Sequence, residues 1–274
     1  IPIPQPIHPV IFDSIDASTI RSAALRTTGS AGPSGIDAHG WRRICTSYKG
    51  TSADLALAAR RICTSYIDPK SISPLLACRL IALDKTPGVR PIGVGDTARQ
   101  IIAKAVLSIT RQDIQDTAGC LQLCGGQIAG IEAAVHAVRT SFESDDNEGV
   151  LLVDASNAFN SLNRQVALHN IQRLCPPLAT ILINNYRAPT ELFVDGDTLL
   201  SQEGTTQGDP LAMPMYALAT IPLIRKLEGN YKQIWYADDA AAVGKITELR
   251  EWWDKLTTAG PGYGYFPKAS KRHG

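Results

Sequence analysis

The chain has 274 residues, 44% of them hydrophobic and 19% charged, which excludes a disordered or collagen-like polypeptide. Its formal net charge of +1 supplies no global basic field, and six cysteines are too few for a disulfide scaffold. The longest mostly apolar run, 211–224, carries two prolines and is too short to span a bilayer, so no membrane partner is expected.

The first residues, Ile1-Pro2-Ile3-Pro4-Gln5-Pro6, lack the basic and apolar regions of a signal peptide. With no initiator Met, the chain reads as an intracellular piece of a longer protein. Residues 1–40 are rich in Pro, Gly and Ser and read as an extended lead-in with one short helix at 17–26. Residues 41–66 read as helical. They contain the heptapeptide Arg-Arg-Ile-Cys-Thr-Ser-Tyr twice, at 42–48 and 60–66; the offset is about five helical turns, so the copies are expected on one face. Strands are expected at 78–83 and 89–94 around Lys85-Thr86-Pro87-Gly88. Helices follow at 98–109 and 127–142. The apolar run 150–153 reads as a strand buried on both faces. A helix at 162–174 is stopped by Pro176-Pro177. Strands at 191–194 and 197–202 flank Asp195-Gly196, a type I′ turn signal. A helix at 210–224 and a hairpin of 233–236 with 240–243 complete the series. Helix and strand mix without strict alternation, so the class is α+β.

Charge is unevenly spread. Residues 42–111 carry twelve Lys/Arg against four Asp/Glu, whereas 112–160 carry one against eight. A polyanion grip beside a cation-collecting pocket fits this pattern, but two solvated faces fit it as well, and charge alone favours the latter. Cys120, Cys124 and His136 lack a fourth ligand at zinc spacing, so buried thiols are expected.

Three carboxylates stand out by position. Asp154 ends an apolar strand, and Asp238 and Asp239 sit at the tip of an apolar hairpin. Carboxylates near a core are costly unless a cation neutralises them, and oxygen ligands suit Mg²⁺ or Mn²⁺. A bare Asp-Asp pair is usually only a polar turn. Here it has ordered company: Gly88-Val89-Arg90-Pro91-Ile92, then Asp154-Ala155-Ser156-Asn157-Ala158-Phe159-Asn160, then Gln207-Gly208-Asp209-Pro210, then Tyr236-Ala237-Asp238-Asp239. Asp209 suits an N-cap and Pro210 a first helical residue, while Gly208 permits a close backbone approach.

In these blocks and their order the chain resembles a reverse transcriptase domain of the retrotransposon and group-II-intron-like type, over residues 31–271. The resemblance implies a right-hand polymerase: fingers over 1–125 with an N-terminal extension, and a palm over 126–274 with an interleaved fingers segment at about 162–207. The antiparallel palm sheet would pack on helices, and no thumb would follow. It implies RNA-directed DNA polymerase activity on an RNA template, a DNA primer and deoxynucleoside triphosphates. Two Mg²⁺ (or Mn²⁺) ions would be held by Asp154, Asp238 and Asp239. Lys271 would be the general acid toward pyrophosphate. Lys85 and Arg90 would meet the triphosphate, Phe159 the sugar C2′, Gln207 and Gly208 the nascent pair, and Tyr236 the primer terminus. Gln127, Glu132 and His136 resemble a further stretch of the family, although Glu132 and His136 also fit a surface i,i+4 pair. A decayed copy that binds nucleic acid without catalysis is the alternative. An RNA-copying RNA polymerase is opposed by Phe159 and the Tyr-Ala-Asp-Asp hairpin, and a structural module by the ordered blocks.

Overall fold

Among the described residues two four-stranded sheets organise the chain. The fold is that of a computed structural model, which describes residues 9–84, 86, 88–144 and 146–269. After a short 3₁₀ turn at Pro9–Phe12 come helices α1 (Ala17–Arg26), α2 (Ala38–Ser47), α3 (Lys49–Thr64) and α4 (Pro69–Leu76). Strands β1 (Cys78–Asp84) and β2 (Val89–Gly95) lead to α5 (Thr97–Ala118) and α6 (Gly130–Ser144). Then follow β3 (Gly149–Ala155), the single turn α7 (Ala158–Ser161), α8 (Arg164–Leu174), α9 (Pro176–Tyr186), β4 (Thr190–Val194) and β5 (Asp197–Ser201). The chain closes with α10 (Ala212–Lys226), β6 (Lys232–Tyr236), β7 (Asp239–Gly244), α11 (Ile246–Tyr263) and β8 (Pro267–Ala269).

The first sheet has the order β2-β1-β4-β5, antiparallel except for the parallel β1–β4 pair. Its second hairpin turns at Asp195 (φ 46°) and Gly196 (φ 85°), the left-handed pair that a type I′ turn needs. The second sheet, β6-β7-β3-β8, is wholly antiparallel. Buried Trp235 packs edge-on against Trp252 of α11 and against Tyr265, fixing that sheet to the core. The apolar run read as too short for a bilayer is α10, buried on nearly every side. Among the described residues no helix is long and apolar enough to cross a membrane.

Several expectations are corrected. Residues 41–66 form two helices, because the chain is extended at Tyr48 (φ −117°, ψ 96°). Gly50 weakens helical continuation there, and the Ser52 hydroxyl takes the Cys45 carbonyl at 2.8 Å. The heptapeptide copies therefore finish two different helices rather than sharing a face. Strand β3 is not buried on both faces: Val153 and Ala155 face the core, whereas Leu152 is 54% exposed. Pro176-Pro177 do stop α8, but they also open α9, which the sequence reading missed; their missing N–H groups cost nothing in a first turn. Helix α10 begins at Ala212, so Asp209 is not its N-cap and Pro210 not its first residue. Asp209 Oδ1 instead accepts the Leu211 N–H at 3.0 Å, one turn ahead of the helix.

Candidate active site

The paired strands β3 and β7 run in register from Gly149–Gly244 to Val153–Ala240. That register carries Asp154 at the end of β3 to the foot of the turn that bears Asp238 and Asp239. On the other side of β3, Asp154 pairs with Lys268 of β8. Past Ala155 the chain reverses through Asn157, which is left-handed (φ 49°), a conformation Asn tolerates better than most residues. This reversal brings Phe159 back over the strand end, where its ring stacks on Tyr216 of α10 with centroids 4.6 Å apart.

The segment between β5 and α10 is fastened to that turn. Thr205 N–H donates to the Phe159 carbonyl at 2.6 Å, and Gly204 N–H to that of Leu162 at 2.9 Å. Gly204 is left-handed (φ 70°), and any Cβ on it would strike the Phe159 and Asn160 carbonyls. Gln207 then lies half-buried with its Nε2 3.5 Å from Asn160 Oδ1. Its carbonyl accepts the Gly93 N–H of β2 at 3.1 Å. A Cβ on Gly208 (φ 103°) would lie 2.9 Å from the Gly93 carbonyl. The close neighbour of Gly208 in this fold is thus the protein's own strand β2.

These elements enclose a cavity of about 430 Å³ lined by Arg90, Asp154, Phe159, Gln207, Gly208 and Asp238, together with Asn157, Asn160 and Met213. Six residues singled out from four separated blocks therefore share one wall system. Tyr236 and Asp239 do not line it. They border an adjoining apolar groove between α6 and the second sheet, which Asp154 also borders. Partial desolvation and then the charges of Asp238 and Asp154 push the Asp239 carboxyl above its ordinary value. Burial, followed by Asp238 and Asp154, likewise raises the Tyr265 hydroxyl. Three anions thus act on one region. Among the described residues no three His, Cys, Asp or Glu are placed so that they could hold a metal ion together, so Asp154, Asp238 and Asp239 do not form a three-ligand set.

Lys85 and Lys271 lie outside the described residues. Glu132 and His136 are exposed on α6, whereas Gln127 donates to the Gln115 and Gly119 carbonyls and so anchors the loop after α5. All six cysteines are free thiols; Cys120 is exposed and the other five are buried.

A buried polar network beneath the cavity was not anticipated. Arg99 Nη2 meets Asp209 Oδ2 at 2.6 Å, and the Tyr186 hydroxyl donates to the same oxygen at 2.6 Å. Arg164 lies over the Tyr186 ring and donates to the Gly204 and Ser201 carbonyls. Burial alone would lower the Arg99 pKa, but the carboxylate beside it carries it above the ordinary value. The sequence holds no local signal for this network, because Arg99, Asp209 and Tyr186 come from three distant segments.

No family model matches the chain. It is 24% identical over 251 residues to the retrovirus-related Pol polyprotein from the type-1 retrotransposable element R2 of Bradysia coprophila, which covers 83% of this chain. The chain spans about a quarter of that relative's length (27%). A solved structure of apo telomerase from Candida tropicalis, truncated from its C-terminal domain, superposes with a TM-score of 0.53 at 13% identity, over 75% of this chain and 50% of that one.

In sequence and in fold the chain is reverse transcriptase-like. The wall of Arg90, Asp154, Phe159, Gln207, Gly208 and Asp238 draws one member or more from each sequence block on which the resemblance rests.

Proposed function

We propose that this domain is an RNA-directed DNA polymerase, extending a DNA primer on an RNA template with deoxynucleoside triphosphates. The observation that carries the reading is the shared cavity of Asp154 and Asp238 with Phe159, Gln207, Gly208 and Arg90. In this reading the first sheet with its helices, α8 and α9 of the interleaved segment included, is the fingers, and the second sheet with α6, α10 and α11 is the palm.

The residues present fit a pair of divalent cations. Mg²⁺ usually takes one or two carboxylates and completes its shell with water and substrate phosphate, and Asp154 and Asp238 share one cavity wall. Desolvation and then the charges of Asp238 and Asp154 raise the Asp239 carboxyl, and a bound cation would relieve the repulsive part. Asp154 and Asp238 would hold the ions, with Asp239 in support. When bound, such ions stabilise the attacking and departing oxygens of phosphoryl transfer. The chain's own groups then have distinct tasks. Arg90, exposed on β2 at the mouth of the cavity, offers a guanidinium fork to triphosphate oxygens. Phe159, backed by Tyr216 and unable to retreat, limits the room beside the sugar C2′ and so disfavours ribonucleotides. Gln207 and Gly208, held against Gly93, give the nascent pair a fixed wall. Tyr236 would support the primer end. Lys85 would add charge to the triphosphate, and Lys271 would donate a proton to pyrophosphate.

The test is primer extension on poly(rA)/oligo(dT) with Mg²⁺ or Mn²⁺, comparing the wild-type protein with Asp238→Asn. Metal-dependent incorporation of deoxynucleotides, lost in the variant, is expected. Metal-independent nucleic-acid binding without incorporation would replace the reading with a binding domain that does no chemistry. Equal use of ribonucleotides would replace it with RNA synthesis.

A further inference from the structure

Gln122 is completely buried in the loop between α5 and α6, far in sequence from the hairpin that carries Asp238. Its side chain grips one residue of that hairpin twice. Oε1 accepts the Ala237 N–H at 2.8 Å, and Nε2 donates to the Ala237 carbonyl at 3.0 Å. Nε2 also donates to Thr220 Oγ1 at 3.2 Å, and the Cys124 thiol donates to Oε1 at 3.3 Å. The opposite amide orientation would set donor against donor and acceptor against acceptor at Ala237, so the side chain has one satisfactory placement. Ala237 needs such a hold, since it is left-handed (φ 52°) without being glycine. One residue on, the buried Tyr265 hydroxyl donates to the Asp238 carbonyl at 2.8 Å. Two unrelated segments therefore fix the backbone on either side of the Ala237–Asp238 peptide.

We propose that Gln122 is a positioning residue for Asp238: its amide, with Tyr265 opposing it, locks the left-handed turn and thereby sets where the Asp238 carboxylate meets a divalent cation. The inference rests on the reading of Asp238 as an ion ligand. It deepens that reading by naming what makes the ligand rigid. Mg²⁺ demands near-ideal octahedral geometry, so a loosened turn penalises it more than an ion that tolerates distortion.

The test compares the wild-type protein, Gln122→Met, Tyr265→Phe and Tyr231→Phe. Tyr231 is a remote control that loses a buried hydroxyl donating to the Leu227 carbonyl, away from the turn. Amide hydrogen exchange and Mn²⁺ binding are measured on the protein without nucleic acid, and kcat and KM by primer extension in Mg²⁺ and in Mn²⁺. In Gln122→Met, Ala237 exchange should quicken and Mn²⁺ binding weaken, each about 10-fold. The value of kcat should fall about 10- to 100-fold, more in Mg²⁺ than in Mn²⁺, with KM for the deoxynucleotide unchanged. Tyr265→Phe should act in the same direction and answers the question if Gln122→Met does not fold. Tyr231→Phe should leave ion binding unchanged. Unaltered Mn²⁺ affinity in both turn variants, or an equal loss in Tyr231→Phe, overturns the proposal. Absence of Mn²⁺ binding by the wild type overturns it together with the ligand role of Asp238. Wild-type Mn²⁺ binding without incorporation overturns only the polymerase reading, and the affinity ratios still decide the role of Gln122.

Discussion

The two sheets meet the same cavity on very different terms. The hairpin tip of β1 and β2 and most of β5 are exposed, with Leu83, Val89, Leu199 and Leu200 all open to solvent. Strand β7 is buried over Ala240–Gly244, and β3 points Val153 and Ala155 into the core. The second sheet is backed by α10 and α11 and by the Trp235–Trp252–Tyr265 cluster. The carboxylates thus stand on a braced support, whereas Arg90 stands on a hairpin with little behind it. A site that must hold charge at fixed positions gains from the first arrangement. A side chain that meets a large, incoming, flexible anion has less need of it.

The contrast predicts its largest effect at Asp154. Asp154→Asn keeps the shape but removes the anion, and incorporation should fall at least about 10³-fold with little change in folding. Leu200→Ser, on the exposed β5, should alter stability by less than about 0.5 kcal/mol and leave incorporation intact. A comparable loss from both, measured by primer extension and thermal melts, would abolish the distinction between the sheets.

The sequence was legible where signals were local. The helix at 17–26, the Asp195-Gly196 turn and the two apolar hairpins needed only periodicity and turn chemistry, and the structure has them. The resemblance drew Arg90, Asp154, Phe159, Gln207, Gly208 and Asp238 together before any geometry did, and they line one cavity. What stayed hidden depends on contacts between remote segments. Gln122 reaches across 115 positions to Ala237, and Arg99 across 110 to Asp209. The break at Tyr48 was missed because 41–66 is apolar at helical spacing on both sides of it. The exposure of Leu152 was missed because an apolar run cannot reveal that one sheet face lies open beside a groove.

The next effect joins the sheets rather than separating them. Arg99→Met leaves the Asp209 carboxylate buried without its cation, and breaking such a pair costs about 3–5 kcal/mol. A fall in melting temperature of about 10 °C is expected. Adding Asp209→Asn, which still accepts the Leu211 N–H, should recover roughly half by removing the stranded charge. No recovery would mean that shape, not charge, dominates the network.

A smaller effect separates wall from mouth. Phe159→Val opens space beside Tyr216 and should shift discrimination against ribonucleotides by about 10- to 200-fold, read as a ratio of kcat/KM values. Arg90→Ala, on the exposed hairpin, should raise KM for the triphosphate about 10-fold and leave that ratio unchanged. A change of selectivity at Arg90, or of KM alone at Phe159, would exchange the roles of the two sheets.

The smallest effect concerns repulsion at the end of the braced sheet. The Asp239 carboxyl lies above its ordinary value of 3.8 because of desolvation and then Asp238 and Asp154. A carboxyl raised in the fold binds its proton more tightly folded than unfolded, so stability falls as pH rises from 3.8 through the raised value. Above that window the penalty is complete, and below 3.8 it is absent. Asp239→Asn should therefore melt higher than wild type at neutral pH, by only about 1 °C given solvent screening. The difference should vanish near pH 3 (about one unit below the ordinary carboxylate value). Saturating Mg²⁺ should shrink it at neutral pH, because the cation removes the repulsive part of the penalty that the substitution relieves. A gain that persists at low pH would assign it to packing rather than charge.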